Sequence, residues 1–568
     1  MPADMVEHLQ DEMQWVRDAQ AAVTAAVPTV IKLLADEDPA VRAVAAYTLA
    51  GCTDRASALL TELRARFDAE ADPAVKVSLV FAAARLSEAA GVALESTRDW
   101  FGDIRDRAGQ HPAVHLAAAV AGLGDGAAPD SPKELAGAFA AATTSSVIEV
   151  YERVPGTEDL SDSGGFAVWL GRLLGDAPAA CVDLTRRLAA STEPAVRAEA
   201  VRVGTYAAQT WRSATPETVA TFAGLLNDPD GSVACSAARA LARCGHAAAT
   251  VSDHLHRTLE RDDGVAATWA SVALAHCGDP RAIAPLVRLL GLEECPWTHW
   301  DAPSRLLDNL RPHAAQLLPA IRDRIDQREW GESAWRVVAH DLIRGLGTWG
   351  RDAAPAVPWL LIQLIRRELN PATIVTALGR IGPAARSAAS LLEQLAGDRS
   401  DDAESVASEA AWALWRITGS SHPSLSILGR LAGAGRPQAL RHLGDLGPAA
   451  RHHATTARRH LGDKWDWVRI EAAHAHWRLT GDDSLALPAL LDEITGLTDP
   501  VRISPAQYAA VRYLGRLGRP AAAAAPTLRA ILDSDHRTYA HTHDSGHSPI
   551  SSDQDLQSQP RGPLSVRC

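Results

Sequence analysis

Tryptophan, arginine and histidine gather between residues 412 and 478, and these side chains can stack on or ion-pair with a bound partner. Arginine and tryptophan are enriched at the energetic centres of protein interfaces, and both also stack on nucleobases. The sequence therefore predicts a partner-binding set in this region. Its members are Trp412, Trp415, Arg416, Arg451, Arg458, Arg459, Trp465, Trp467, His474, Trp477 and Arg478.

The aromatic members of this set have two interpretations. Trp412 and Trp415 follow Val406 by 6 and 9 residues. Because a helix turns by about 100° per residue, they lie at the edge of a groove if Val406 faces the core. The same spacing places His474 and Trp477 there. Alternatively, Trp415 and Trp477 pack between neighbouring repeats beside a Thr-Gly turn.

The basic residues between 441 and 464 precede Trp465 and Trp467, and three interpretations of this stretch stay open. It is a solvated outer helix followed by two packed tryptophans, a protein or peptide site, or a nucleic-acid site. The residue types fit each of these interpretations, because arginine is common in protein interfaces and also binds phosphate groups.

Catalytic chemistry has only one weak candidate. The run Asp162-Ser163-Gly164-Gly165 is similar to the nucleophile loop of trypsin-like proteases, but that loop requires a β-barrel with a distant His and Asp. Here it is predicted to lie in a loop between helices. The sequence has no phosphate-binding, dinucleotide, hydrolase or zincin motif. We therefore expect a non-enzymatic protein without catalytic residues, cofactor or metal.

Length and composition indicate an elongated helical array. The chain has 568 residues, too many for one core, and it is 47% hydrophobic but only 5% aromatic. The net charge is −13, which argues against nonspecific attraction to phosphate or to an anionic membrane. Residues 1–300 hold 25 Lys+Arg against 40 Asp+Glu, whereas residues 301–540 hold 29 against 26. The first half is thus acidic and the second mildly basic.

The chain start and the cysteines predict a cytoplasmic protein without a membrane partner. The first residues carry charge and form no apolar signal segment, and no apolar run approaches the roughly 20 residues of a spanning helix. The 7 cysteines contain no C-x-x-C pair and are odd in number, as expected for reduced thiols. Arginine far exceeds lysine, which is typical of a high-GC genome.

Three recurring signatures reveal a helical repeat. An Asp-Pro-Ala-Val type start at Pro39, Pro73, Pro112 and Pro194 predicts the beginning of an inner helix. The pattern Leu-Gly-x-x-Gly-Pro-Ala-Ala, from Leu378 and again from Leu443, predicts its end, because glycine there adopts the left-handed cap conformation. A proline before an apolar run, as in Pro358-Trp359-Leu360-Leu361, is predicted to bend the following helix.

The repeat length follows from the leucine near the end of each inner helix. Successive markers lie 33, 33, 39, 32, 36 and 29 residues apart, as in an irregular two-helix array. Residues 409–419 and 471–481 are nearly identical, which predicts equivalent positions in two repeats. The markers are Leu241, Leu274, Leu307, Leu346, Leu378, Leu414 and Leu443.

These signatures resemble HEAT repeats, specifically the bacterial subgroup similar to phycobilisome lyases, over roughly residues 26–123 and 190–532. The resemblance implies an all-α, right-handed α-solenoid of about 13–15 two-helix repeats, with outer helices on the convex face and inner helices lining a concave one. It also implies a scaffold that binds a protein or peptide there. A groove like that of HEAT-like DNA glycosylases is the alternative, and a bilin-type lyase is a remote one.

The sequence further predicts four regions. Residues 1–124 form N-terminal HEAT repeats, 125–190 a degenerate helical repeat with a loop insertion, and 191–533 the main array. Residues 534–568 are polar and rich in histidine, and such a composition predicts disorder.

Overall fold

The computed structural model divides the chain into two compact units, Met1–Ala207 and Ala208–Cys568, so the predicted region 125–190 falls inside the first. The predicted loop at 156–164, which includes Ser163, lies outside the residues that the structure describes. The described residues are 22, 25–90, 94–122, 131–155, 165–261, 264–291, 303–327, 332–400, 404–495, 502–540, 549–550 and 553–554.

The described part of the first unit is helical. Its helices are α1 (25–33), α2 (Pro39–Leu49), α3 (Ala56–Ala69), α4 (Pro73–Ala90), α5 (Leu94–Asp106), α6 (Pro112–Ala121), α7 (Pro132–Ala142), α8 (Ser145–Glu152), α9 (Gly165–Leu173), α10 (Pro178–Ala189) and α11 (Pro194–Thr210), which crosses into the second unit. A short 3-10 helix, Thr53–Arg55, precedes α3.

The second unit continues the pattern, and its two-residue strands β1 (Arg502–Ile503) and β2 (Tyr539–Ala540) pair in parallel. Its helices are α12 (Thr215–Leu225), α13 (Gly231–Arg243), α14 (Ser252–Glu260), α15 (Val265–His276), α16 (Ile283–Leu290), α17 (Pro303–Asn309), α18 (Ala314–Asp326), α19 (Glu332–Thr348), α20 (Val357–Arg366), α21 (Pro371–Ile381), α22 (Ala389–Gly397), α23 (Glu404–Thr418), α24 (His422–Gly433), α25 (Pro437–Leu446), α26 (Ala454–Arg459), α27 (Asp466–Thr480), α28 (Ala486–Thr495), α29 (Pro505–Leu517) and α30 (Ala525–Asp533). The 3-10 segments of this unit are Gly245–Val251, Pro280–Ala282, Arg311–His313, Gly350–Ala356, Gly382–Ala388, Gly447–His453 and Arg519–Ala524.

Each repeat is a pair made of a first and a second helix. In the second unit the second helices pack one against the next, from α13 through the odd-numbered helices to α29. Each repeat therefore buries its apolar surface against its neighbours, as in a solenoid. The predicted all-α solenoid class is confirmed, while its right hand and repeat number stay predictions.

The predicted starts of second helices are confirmed. Helices α2, α4, α6 and α11 begin at the expected prolines. Asp38 Oδ1 accepts the N–H of Ala40 at 2.8 Å, and Asp72 Oδ1 accepts that of Ala74 at the same distance. These caps satisfy backbone donors that a helix start leaves free, so the sequence determines the start locally.

The ends of second helices follow prediction in part, while the proline effect does not. Gly382 and Gly447 have the expected positive φ angles of 76° and 60°, but their ψ angles of −141° and −137° lie outside the left-handed helical region. Pro358, however, lies in the first turn of α20 rather than inside it. No intrahelical hydrogen bond is lost there, because the first N–H groups of a helix have no acceptor.

The leucines that mark the repeat form the core. All seven are at most 1% exposed. Cys52 and Cys244 each lie two residues after a Leu-Ala pair, and both are buried as well. Burial raises the pKa of Cys244 to about 12, so this thiol stays protonated at neutral pH and serves as an apolar packing group.

Part of the tail predicted to be disordered is instead ordered. Residues 534–540 and 553–554, here named the C-terminal clasp, pack on residues 208–215 at the start of the second unit. His536 bridges to Trp211 in antiparallel fashion, and β2 within the clasp pairs with β1. The clasp thus contacts both the first and the last repeats of this unit. The tail histidines 541, 543 and 547 lie outside the described residues.

A buried ion network holds the clasp. Asp553 is 0% exposed and receives hydrogen bonds from both Arg212, at 2.6 and 3.0 Å, and Arg537, at 2.9 Å. Arg537 also donates to the carbonyl of Ala208 at 2.7 Å and to Thr215 Oγ1 at 2.6 Å. Polar residues can therefore order this segment without an apolar core, because each buried charge is paired.

Candidate partner-binding face

The predicted set falls on two kinds of element. Seven of its eleven members lie on second helices, and the other four lie on a first helix, in the 3-10 segment before it and in the turn after it. We define the second-helix face by the exposed and half-exposed side chains along α21, α23, α25, α27 and α29. They include Arg380, Trp412, Trp415, Arg416, Arg441, Asp445, Trp467, Trp477, Arg478 and Arg516.

Trp412 is held in a fixed orientation between α23 and α25. Its indole N–H donates to Asp445 Oδ2 at 3.1 Å, and its ring stacks on His442 with centroids 5.3 Å apart. His442 is buried, and its Nε2 lies 3.1 Å from Glu409 Oε1. The guanidinium of Arg416 lies over the Trp412 ring at 5.9 Å. An aromatic surface is thereby pre-positioned beside an exposed cation.

The contact between Glu409 and His442 favours the charged forms of both groups. Burial raises the pKa of Glu409, but His442, Thr376 and Arg441 together lower it by more, so the net pKa lies below the usual value. Burial lowers the pKa of His442, but Asp445 and Glu409 together raise it by more, so the net pKa lies above the usual value. A buried histidine flanked by two carboxylates therefore holds its proton more strongly than a free imidazole does.

An equivalent arrangement lies between α27 and α29. His474 takes the place of Trp412 and stacks on Tyr513 with centroids 4.0 Å apart and planes 3° from parallel. The Tyr513 hydroxyl donates to Glu471 Oε2 at 2.8 Å. The equivalence of Glu409 and Glu471, predicted from the near-identical segments, thus extends to the rings that their carboxylates contact.

In this second cluster burial favours the neutral forms of the buried groups, whereas the contacts of the first cluster favour the charged forms. Burial raises the pKa of Glu471, and burial together with neighbouring arginines lowers the pKa of His474 to about 3. His474 is only 2% exposed, so the structure removes it from the predicted surface set and makes it a support for Tyr513. The reason is that Gly444 lets α27 approach α25 closely, with the His474 ring against it.

Glycines and rings alternate between successive second helices. A Cβ atom at Gly379 would lie 2.9 Å from Ala413 Cα and 2.5 Å from Trp412 Cζ3, so α21 and α23 pack in close contact. The next interface, between α23 and α25, holds the Trp412 and His442 rings instead. The glycine of the Leu-Gly pattern therefore sets the position of Trp412.

Replacing Gly379 with alanine is expected to destabilise the protein by about 1–2 kcal/mol. Overpacking costs about 1–3 kcal/mol, which exceeds the roughly 1 kcal/mol that alanine contributes through helix propensity. The matched control is Gly397→Ala at the end of α22, where a Cβ meets nothing within 4 Å. Urea unfolding should show a lowered midpoint for the first variant only. Equal midpoints for both would contradict the close packing described for Gly379.

The remaining predicted residues lie on other elements, except Trp467 at the start of α27. Arg451 is in the 3-10 segment Gly447–His453, and Arg458 and Arg459 end α26, a first helix; all three are exposed. Trp465, 63% exposed, precedes α27 and lies under Lys464, while Trp467 is 38% exposed in the first turn. The structure therefore does not gather the whole predicted set at one place.

Trp415, Trp477 and their arginines lie as a repeated unit. Arg416 lies 6.0 Å from the Trp415 ring, and Arg478 lies 5.7 Å from the Trp477 ring. Both tryptophans are half-buried, and Trp477 packs against the apolar core formed by α27 to α30. The two interpretations drawn from the sequence both stay predictions.

Sequence reasoning missed several members of this face. Arg380 and Arg516 occupy the same helix position as Arg416 and Arg478, one residue before the apolar residue that closes each second helix. The recurring pair of Arg with Ile or Leu at helix ends is the signal that could have identified them. Arg441 lies one turn earlier on α25, where Asp445 occupies the equivalent position.

Within the described ranges, no cluster of three or more His, Cys, Asp or Glu side chains could hold a metal ion. None of the helices in the described part is long and apolar enough to cross a membrane.

Comparison with known proteins supports the repeat itself. Residues 26–55, which contain α2 and all but the first residue of α1, match the family model of the HEAT repeat, so the HEAT-repeat resemblance is confirmed for that stretch, and the phycobilisome-lyase-like subgroup stays a prediction. No curated protein sequence matches the chain.

Several solved solenoids are similar in structure. Importin beta crystallised in an ammonium sulfate condition shares 12% identity, with 96% of this chain and 87% of that chain covered and a TM-score of 0.44. Kap121p shares 13% identity, with 97% and 64% covered and a TM-score of 0.39. Kap121p bound to the SUMO protease Ulp1p shares 13%, with 96% and 70% covered and a TM-score of 0.37. Similarity at this level carries no functional argument.

Proposed function

We propose that the chain is a non-enzymatic scaffold that binds a protein or peptide partner on the second-helix face. One observation carries this proposal. Half-exposed tryptophans and exposed arginines lie side by side on α23 and α27, the second helices that flank α25, within cation–π distance of one another. Tryptophan and arginine are the residues most enriched among interface hot spots.

The rigidity of this face supports the proposal. The Trp412 ring is fixed by a hydrogen bond, by stacking on His442 and by the close approach of Gly379. A side chain that is already ordered loses little conformational entropy on binding, so more of its contact energy contributes to affinity. The free thiols among the described cysteines suit the cytoplasmic location that forms part of this proposal.

Site-specific photo-crosslinking tests this function. A photoreactive amino acid at Gln438, exposed on α25 between the two ring clusters, should capture a discrete protein partner from native lysate. The same group at Arg386, exposed in the 3-10 segment before α22, is the control and should not. Adding Trp412→Ala should reduce capture at Gln438 by about tenfold, the loss typical of a hot-spot residue. Identical products at both positions would reject the proposed face.

A further inference from the structure

Among the described residues, the arginines of the second-helix face have no carboxylate at salt-bridge distance. Several other arginines of the second unit do pair with carboxylates, for example Arg281 with Asp279 at 2.6 Å and Arg311 with Asp352 at 2.7 Å. In the part of the chain that the structure describes, the face arginines form no salt bridge within 4.0 Å. They are Arg380, Arg416, Arg441, Arg478 and Arg516.

The carboxylates near these arginines are already engaged. Glu409 and Glu471 are buried and contact His442 and Tyr513. Asp445 is exposed, but it accepts the indole N–H of Trp412. The face therefore presents a surplus of positive charge, although the chain as a whole carries −13.

The same arginines affect the pKa of neighbouring groups. Burial is the largest cause of the lowered pKa of Arg380; Arg344 and Arg441 lower it further, while Glu409 and Asp308 act against them. Burial is also the largest cause of the lowered pKa of His474; Arg516, Arg478 and Arg441 lower it further, while Asp445 acts against them. Like charges repel one another, and a bound anion would relieve that repulsion.

Resting on the proposed function, we infer that the partner presents an extended acidic peptide, with a carboxylate at about every third residue, to the second-helix face. Charge complementarity supplies the first argument, because arginine binds carboxylate through two parallel hydrogen bonds. Spacing supplies the second. Packed helices lie about 8–10 Å apart, and three residues of extended chain span about 10 Å. One acidic side chain can therefore meet the arginine of each successive helix.

The tryptophans fit the same occupant. Asp445 shows that a carboxylate on this face can accept an indole N–H from Trp412 at 3.1 Å. The apolar rings between the arginines can pack on the two residues that separate successive acids. A nucleic-acid duplex fits less well, since it carries one charge per about 1.7 Å, far denser than one arginine per helix.

A binding assay with two peptides of equal composition tests the inference. Both are fluorescent, contain about 13 residues of Glu, Ser and Gly, and carry five glutamates, either at every third position or contiguous at one end. Fluorescence anisotropy is measured with the full chain at about 50 mM salt, where ionic contacts are strong. We expect the spaced peptide to bind roughly tenfold more tightly, because each of its acids reaches a separate arginine.

Matched variants locate the site. Arg380→Gln combined with Arg441→Gln should weaken binding of the spaced peptide by about tenfold or more. Arg351→Gln combined with Arg386→Gln removes the same charge from exposed positions in the 3-10 segments Gly350–Ala356 and Gly382–Ala388, and should change binding by less than about twofold. Unchanged circular dichroism and unfolding midpoints verify that each variant is folded.

Three outcomes would overturn the inference. These are failure of both peptides to bind, equal losses in the two double variants, or tighter binding of a single-stranded oligonucleotide of equal charge through Arg380 and Arg441. The inference of an acidic partner peptide and the proposal of a scaffold function can be rejected independently. If Gln438 crosslinks to a partner that the spaced peptide does not displace, the scaffold proposal stands and the acidic peptide is rejected.

Discussion

Replacing Asp553 with alanine is expected to release the C-terminal clasp and to lower the free energy of unfolding of the second unit by about 3–5 kcal/mol. The reason is that one carboxylate forms ion pairs with two arginines. Asp553 is fully buried and pairs with Arg212 and Arg537, and Arg537 is only 5% exposed. Removing the carboxylate leaves buried positive charge without a partner, which costs more than the loss of one surface ion pair.

Limited proteolysis and chemical unfolding measure this effect. Cleavage within residues 534–554 should accelerate in Asp553→Ala, and the unfolding midpoint should fall. The control is Asp535→Ala, which removes the exposed contacts of Asp535 with Ser213 at 2.6 and 2.7 Å. The free energy of unfolding of this control variant should fall by only about 1 kcal/mol, as for the loss of an exposed hydrogen bond. If both variants behaved alike, the buried network would not be what holds the clasp.

Replacing His442 with alanine is expected to cost about 3–5 kcal/mol, because it leaves Glu409 buried without its partner. Tyr513→Phe is the matched control at the equivalent position of the neighbouring cluster. It removes only the hydroxyl that donates to Glu471, so its cost should be about 1–2 kcal/mol. Tryptophan fluorescence during urea unfolding can follow both variants, since Trp412 stacks on the replaced ring.

The cost of losing His442 should depend on pH in a defined direction. The folded pKa of His442 is raised above 6.5, so its contribution is complete below pH 6.5 and is lost as pH rises through the folded value. The folded pKa of Glu409 is lowered from 4.5, so its contribution is present above pH 4.5 and is lost as pH falls through the folded value. The deficit of His442→Ala should therefore be largest between pH 4.5 and 6.5 and shrink toward pH 9. A deficit that grows at high pH would contradict the ionic pair.

Local rules account for the features that were predictable from sequence. The starts at Pro39 and Pro73 depend on an adjacent Asp cap, and the ends at Gly382 and Gly447 depend on glycine at positive φ. Each of these involves a few consecutive residues, so spacing and residue type determine them. The buried leucine markers follow from the same periodicity.

Contacts between helices could not be predicted in this way. Glu409 and His442 are 33 residues apart, and their contact depends on the register of α23 against α25. The near-identical segments showed that Glu409 and Glu471 are equivalent, but the opposing rings differ in type, His442 in one case and Tyr513 in the other. Without a shared residue type, no pattern in the sequence marks the pair.

For the described residues of the C-terminal clasp, the prediction of disorder failed for a different physical reason. Composition averages over a segment, and residues 534–568 are poor in apolar side chains as a whole. Order in the clasp instead comes from a few buried charges, above all Asp553, whose partner Arg212 lies 341 positions earlier in the chain. A distant partner of this kind contributes nothing to local composition, so composition alone predicts that the segment is disordered.

The clasp also changes how the second unit comes apart. In an open array of repeats, a terminal repeat has one neighbour instead of two, so it frays first and at low cost. Here the segment after α30 is bound to residues 208–215, and its strand β2 is bound to β1 before α29. Both terminal repeats of this unit therefore gain a second set of contacts. A buried ion network must break before either terminal repeat can unfold locally. We therefore expect the terminal repeats to unfold cooperatively with the repeats between them.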